Sequence, residues 1–326
     1  MCSATTVRSV CHVALRSQVG LSGRVRFRNL SATDGLQLSS RIRGMCTAPA
    51  QNCVLLVDQN YSGSESRVLL VSLAEKRVEQ CLIRIPITDA EVSDVQLLPG
   101  GTHIALALFK KGKENSHIVR LFAESQWLFA KAWRVAHEFC FDTTSSSNTV
   151  YYPQLCVSRN LLLCTAPVLS RHLVALEVTP DSKLEQTGAV QFDSAPSALC
   201  AFTAGNEQLV ATAHADSTVR LWRQVETAAA AGRTFALEEC SRVSADTAFW
   251  RLISSAVGIL LQPEYPDKIM SLCRTDGTRL DAPLLQPQLG ELDLWCGCAV
   301  GLNVFAYDKE SESLVTLETR GSDAEL

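Results

Sequence analysis

The chain has 326 residues, a formal net charge of −4, 47% hydrophobic and 20% charged residues. That length supports a large core in one or two domains, and that balance excludes extensive disorder and a strongly basic, nucleic-acid-coating surface. No run of eighteen apolar residues occurs, so no helical membrane span is expected.

Charge is placed unevenly. Residues 1–33 hold Arg8, Arg16, Arg24, Arg26 and Arg28 and no acid, which leaves 25 basic and 34 acidic residues, a formal −9, for the rest. An acid-poor segment containing Arg and Ser has the composition of a mitochondrial targeting sequence. The alternation in His12-Val13-Ala14-Leu15-Arg16 and Arg24-Val25-Arg26-Phe27-Arg28 fits strands better than an amphipathic helix. A continuous apolar signal-peptide core is missing. The thirteen cysteines are odd in number and irregularly spaced, and Cys53, Cys156, Cys164 and Cys200 sit in apolar runs. They read as reduced, buried thiols in a reducing compartment. The expected location is nucleus or cytoplasm, with the mitochondrion as the alternative.

Short strands follow in clusters. Residues 53–58, 67–73 and 78–85 make three in succession. The next cluster is 92–98, the turn Pro99-Gly100-Gly101, 102–109, the basic turn from Lys110 to Ser116, and 117–122. Gln126–His137 is the best helix candidate, with two strands and a turn as the other reading. Further clusters are 155–157, 161–164 and 172–178; then 198–202, 208–213 and 218–222; then 249–253, 258–262, 269–274 and 279–282; then 292–296, 301–307 and 313–317. Residues 225–235, with alanines at 228–231, read as a short helix or loop insertion. Helices do not alternate regularly with strands, so an open α/β sheet is disfavoured.

The clusters recur every 40–50 residues, the period of four-stranded propeller blades. Dividing 326 residues by seven gives about 47 per blade. The expected architecture is all-β: one propeller over 1–326, preferred as seven-bladed with six or eight blades as the alternatives, and with blades near 1–44, 45–87, 88–135, 136–191, 192–239, 240–286 and 287–326. An N-terminal strand that completes the final blade would close the ring and hide two sheet edges.

His214-Ala215-Asp216-Ser217-Thr218-Val219-Arg220-Leu221-Trp222-Arg223 is a tight turn running into an alternating strand that ends in tryptophan. It resembles part of a blade in the WD-repeat (WD40-like) β-propeller superfamily. The resemblance implies that Asp216 ties the turn to backbone donors, that Thr218 and Trp222 pack within and between blades, and that His214 joins the turn network. Arg223 stands where the Trp-Asp pair would place Asp. Residues 116–122 carry Phe122 in place of Trp, and Asp308 after Tyr307 resembles the final Asp of the repeat. The resemblance covers the chain in period but only about ten residues in motif.

Chemistry is sparse. Phosphate-loop and dinucleotide fingerprints are absent. Cys296-Gly297-Cys298 has no second ligand pair nearby, and adjacent Cys11 and His12 point to opposite faces of a strand. Ser170, His172 and Asp181 have the atom types of a nucleophilic site but no nucleophile elbow, and read as a polar turn. The acids Glu238, Glu239, Glu310 and Glu312 read as a surface. No catalytic, cofactor-binding or metal residue is expected. The expected function is a noncatalytic scaffold subunit that binds the protein subunits of a larger intracellular assembly. The alternative is a peptide-recognition propeller reading a modified or acidic tail, and the third reading is a hydrolytic enzyme. Direct nucleic-acid binding is not expected. The candidate interaction residues are Lys110, Lys111, Lys113 and Trp127, the last as an aromatic anchor.

Overall fold

Apolar runs separated by Gly, Pro, Asp and Ser turns form strands that pair antiparallel with their sequence neighbours. In the computed structural model the described residues are 20–27, 31–32, 41–48, 52–60, 64–75, 77–110, 116–127, 130–141, 153–165, 171–204, 206–229, 232–255, 258–263, 270–273, 284–285, 294–300, 303–308 and 313–320. The first two strands are β1 (Gly20–Phe27) and β2 (Ser31–Ala32). Five four-stranded meanders follow. Blade 1 holds β3 (Ile42–Ala48), β4 (Cys53–Asn60), β5 (Glu65–Ser72) and β6 (Arg77–Pro86). Blade 2 holds β7 (Ala90–Leu97), β8 (His103–Lys110), β9 (Ser116–Trp127) and β10 (Ala130–Cys140). Blade 3 holds β11 (Leu155–Ser158), β12 (Leu161–Thr165), β13 (His172–Val178) and β14 (Leu184–Gln191). Blade 4 holds β15 (Pro196–Ala204), β16 (Glu207–His214), β17 (Thr218–Ala229) and β18 (Gly232–Ser244). Blade 5 holds β19 (Phe249–Ser255), β20 (Gly258–Pro263), β21 (Met270–Cys273) and β22 (Leu284–Leu285).

The last sheet takes three strands from the end of the chain, β23 (Leu294–Val300), β24 (Asn303–Asp308) and β25 (Ser313–Arg320). Its fourth strand is β1, paired antiparallel along β25. β2 adds to blade 1 in parallel with β6.

The first strand of each meander is innermost. β3 contacts β7, and the series continues through β11, β15, β19 and β23 back to β3. Six sheets therefore close into a ring. Apolar packing follows the same cycle, with one buried cluster at each of the six junctions between neighbouring blades. Each sheet is thus covered on both faces, which explains why its strands read as apolar runs rather than clean alternations. In β8, Ile104, Leu106 and Leu108 face blade 1, while the smaller Ala105 and Ala107 face blade 3. Large residues on one face meet small ones on the other, so the sheets can pack closely near the axis.

Four sequence expectations are corrected. The ring has six sheets among the described residues, not seven. The described residues among 1–44 do not form a sheet of their own: they supply the outer strand of the last sheet, an edge strand of blade 1 and the start of its innermost strand. Gln126–His137 is not helical, because Trp127 closes β9 opposite Ala130 and the strands then pair along their length. Residues 225–235 belong to the β17–β18 hairpin, with Val225 opposite Ala236 and Glu226 opposite Phe235.

Candidate functional site

The turn after β16 is held by side chains. Asp216 Oδ1 accepts from the Thr218 backbone N–H at 3.1 Å and from its hydroxyl at 2.6 Å, while Arg220 donates to Oδ2 at 2.7 Å. Ser217 between them is left-handed, at φ 60°. Burial opposes ionisation of Asp216, but the Thr218 bonds and the Arg220 charge outweigh it and hold the carboxyl below its usual range. Arg220 is buried and also pairs with Asp193. His214 Nδ1 lies 2.9 Å from the Ser194 carbonyl and Nε2 lies 2.7 Å from Thr212 Oγ1, to which Trp222 Nε1 donates at 2.7 Å. Burial depresses the His214 pKa. The whole network locks the β16–β17 turn against the link from blade 3.

The other chosen residues are dispersed. Asp308 is buried at the end of β24. Lys110 closes β8, with Nζ 3.4 Å from Glu138. Lys111 and Lys113 lie outside the described residues, as do Ser170, Glu310, Glu312, Cys11 and His12. Trp127 ends β9, and its side chain is also outside the described set. Lys110 and Trp127 flank opposite ends of β9, whose twelve residues span roughly 40 Å in extended geometry. They therefore do not form one patch. Asp181 caps its turn through Thr179 and Lys183, and Glu239 pairs with Arg242. Cys296 and Cys298 are buried in β23.

The polar groups that do converge were not singled out from sequence. They form a collar around the axis, at the starts of the innermost strands. Ser93 donates to the Pro153 carbonyl at 3.0 Å, and Asp94 Oδ2 accepts from the Leu155 N–H at 2.9 Å, joining blades 2 and 3. Gln154 Nε2 donates to the carbonyls of Ser197 and Trp250, both at 3.0 Å, so one amide joins blades 3, 4 and 5. Ser197 donates to Phe249, and Leu294 N–H donates to Gln262 Oε1 at 3.1 Å. Above the collar, Trp250 and Trp295 meet edge to face at 4.6 Å, and the Arg43 and Arg251 guanidiniums lie 5.5 and 5.9 Å from the Trp295 ring centre.

Beyond the collar, toward the ends of the innermost strands, lies a cavity of about 670 Å³. Cys46, Cys156, Cys200 and Cys296 contribute to its wall. Burial pushes the thiols of Cys46, Cys200 and Cys296 up to about 12, so they stay uncharged. Asp94 is buried and its carboxyl is pushed up to about 6, chiefly by burial and against the opposing charge of Arg251. The approach of β3 to β7 here requires glycine: a Cβ on Gly44 would lie 2.8 Å from Asp94 Cα. Among the described residues no group of three His, Cys, Asp or Glu side chains has the geometry to hold a metal. Collar and cavity are assembled from residues far apart in sequence, and their only local signal is a polar residue near the start of an apolar strand.

No family model and no curated protein sequence matches the chain. Solved structures do. A chain of the mitotic checkpoint complex aligns over 93% of this chain and 92% of its own, at 12% identity and a TM-score of 0.51. The β-propeller domain of Cps50 (Swd1) from Myceliophteria thermophila aligns over 93% of this chain and 100% of its own, at 12% identity and 0.56. The PQQ-bound aldose sugar dehydrogenase of Streptomyces coelicolor aligns over 91% and 98%, at 10% identity and 0.58. At such identities the likeness speaks for fold alone. Taken with the closed ring of sheets, it shows a β-propeller fold.

Proposed function

We propose that this propeller is a noncatalytic scaffold subunit of a larger nuclear or cytoplasmic assembly. The observation that carries the reading is a pair of hairpins that outgrow their sheets. β8 pairs with β9 only as far as Ala123, and β16 pairs with β17 only as far as Arg223. The β9–β10 and β17–β18 hairpins continue beyond those points to Trp127 and Ala229. They stand on either side of blade 3 as two arms on a rigid frame. Such arms suit binding to protein partners by shape, with Trp127 as the proposed anchor and the Lys110–Lys113 turn, at the other end of β9, as a separate point of charge contact. The two WD40-like neighbours support protein partners in general. Free buried thiols support a reducing compartment.

Affinity purification of the intact protein from its native cells, with mass spectrometry and native mass, tests this reading. A partner set at fixed stoichiometry, lost on Trp127→Ala, is the expected outcome. A monomer without partners would remove the obligate-subunit reading.

A second reading is recognition of an acidic or modified peptide. It is favoured by the two guanidiniums that converge on Trp295 at the collar. A peptide competed by its neutral counterpart would count against it. The sugar dehydrogenase neighbour keeps enzyme propellers in view. Turnover that is abolished by substituting a compact polar cluster would replace both readings.

A further inference from the structure

Arg251 sits where the collar meets the cavity. Arg251 contributes to the cavity wall, and its guanidinium lies 5.9 Å from the Trp295 ring centre. Among the described residues it makes no hydrogen bond or ion pair, although Asp94 is close enough for its charge to be felt. The Asp94 oxygens are already engaged: Oδ1 accepts from Val95 N–H and Oδ2 from Leu155 N–H, each at 2.9 Å. Its guanidinium, a permanent cation with five N–H donors, therefore has no hydrogen-bond acceptor among the described residues. The thiol walls are neutral and do not repel an anion. On one side the cavity extends into the wedge between blades 1 and 2, between Leu55, Leu70 and Leu82 and the facing Leu97, Ile104 and Trp133.

We propose that the cavity is a binding site for an amphipathic monocarboxylate, with its carboxylate on Arg251 and its apolar body in the wedge between blades 1 and 2. The planar fork of guanidinium matches a carboxylate with two parallel hydrogen bonds. A single charge fits because Arg251 is the one cationic side chain among the described residues of the cavity wall. An apolar body fits because five aliphatic side chains and the Trp133 indole line the wedge, although Gln80 and Glu124 also border it. The volume lies within the usual range for small-molecule sites, roughly 300–1,000 Å³. The site is distinct from the arms proposed to bind proteins.

Titration of the full chain with cis-parinaric acid, read by its fluorescence, tests the assignment against methyl parinarate. The acid should saturate at one per chain. Arg251→Met should weaken the acid at least tenfold and leave the ester unchanged, with Arg251→Lys restoring part of the loss. Leu82→Trp, which fills the wedge without touching the cation, should weaken acid and ester alike. Unchanged melting curves for the variants separate these effects from misfolding. Absent saturation, or equal binding of acid and ester that ignores Arg251→Met, would overturn the proposal. So would binding of an apolar peptide with a free C-terminus in the absence of any binding of the acid, since the carboxylate would then belong to a polypeptide.

Discussion

Two buried titratable side chains give the ring opposite responses to pH. Asp94 has a folded pKa of about 6 against an ordinary value of 3.8. Its folded form prefers the proton, so its contribution to stability is full below about 4 and is lost as pH rises through about 6, by roughly 1–3 kcal/mol. Asp94→Asn removes this titration. It leaves one of the two backbone N–H groups without its acceptor, at a cost of about 1–3 kcal/mol at all pH values. The melting-temperature gap between variant and wild type should therefore move in favour of the variant between pH 5 and pH 7.5. Parallel profiles would show that Asp94 does not titrate in that window. His117 is buried, with its pKa brought down to about 4 by burial. Its contribution is present above about 6.5 and is lost as pH falls toward 4. His117→Phe should flatten the acid limb of the stability curve, measured by urea midpoints from pH 4 to pH 7.

At the scale of elements, close approach near the axis depends on small residues. Gly44→Ala pushes a Cβ against the backbone of β7, an overpacking that typically costs about 1–3 kcal/mol. Its urea midpoint should fall accordingly; an alanine at Gly100 meets nothing within 4 Å but holds φ +90°, so its cost of about 1–2 kcal/mol comes from left-handed backbone strain instead. The β16–β17 turn is a second point of dependence. Trp222→Phe keeps the ring in the junction with blade 3 but removes the donor to Thr212, for a loss of about 1 kcal/mol. A variant as stable as wild type would mean that the Trp222–Thr212 hydrogen bond contributes little net stability.

At the scale of the whole molecule, closure rests on β1. Its pairing with β25 covers the outer edge of the last sheet and ties the two ends of the described chain together. A chain starting at residue 31 should expose the β25 edge, melt at a lower temperature and associate through that edge, as judged by light scattering. Unchanged melting and a monomeric mass would show that the ring closes through its axis-side contacts alone.

The sequence by itself determined the strands and their spacing, because turn residues and apolar runs are local signals read within ten residues. Pro99-Gly100-Gly101 and the turn around Asp216 are legible in this way. Residues 126–137 and 225–235 were not, because a long hairpin mixes aromatics and alanines as a helix does, and only the cross-strand partners decide between them. Blade number was not legible either. A period divided into 326 residues yields seven, but the first 44 residues are shared between the last sheet and blade 1, a decision made by pairing across the whole chain. The collar and its cavity belong wholly to the tertiary structure. Asp94, Gln154 and Arg251 lie on three different blades, and each alone is an ordinary polar residue near the start of an apolar strand. Ring closure brings them to one axis, buries Asp94 and Gln154 and places Arg251 at the cavity wall, which no local pattern of residues encodes.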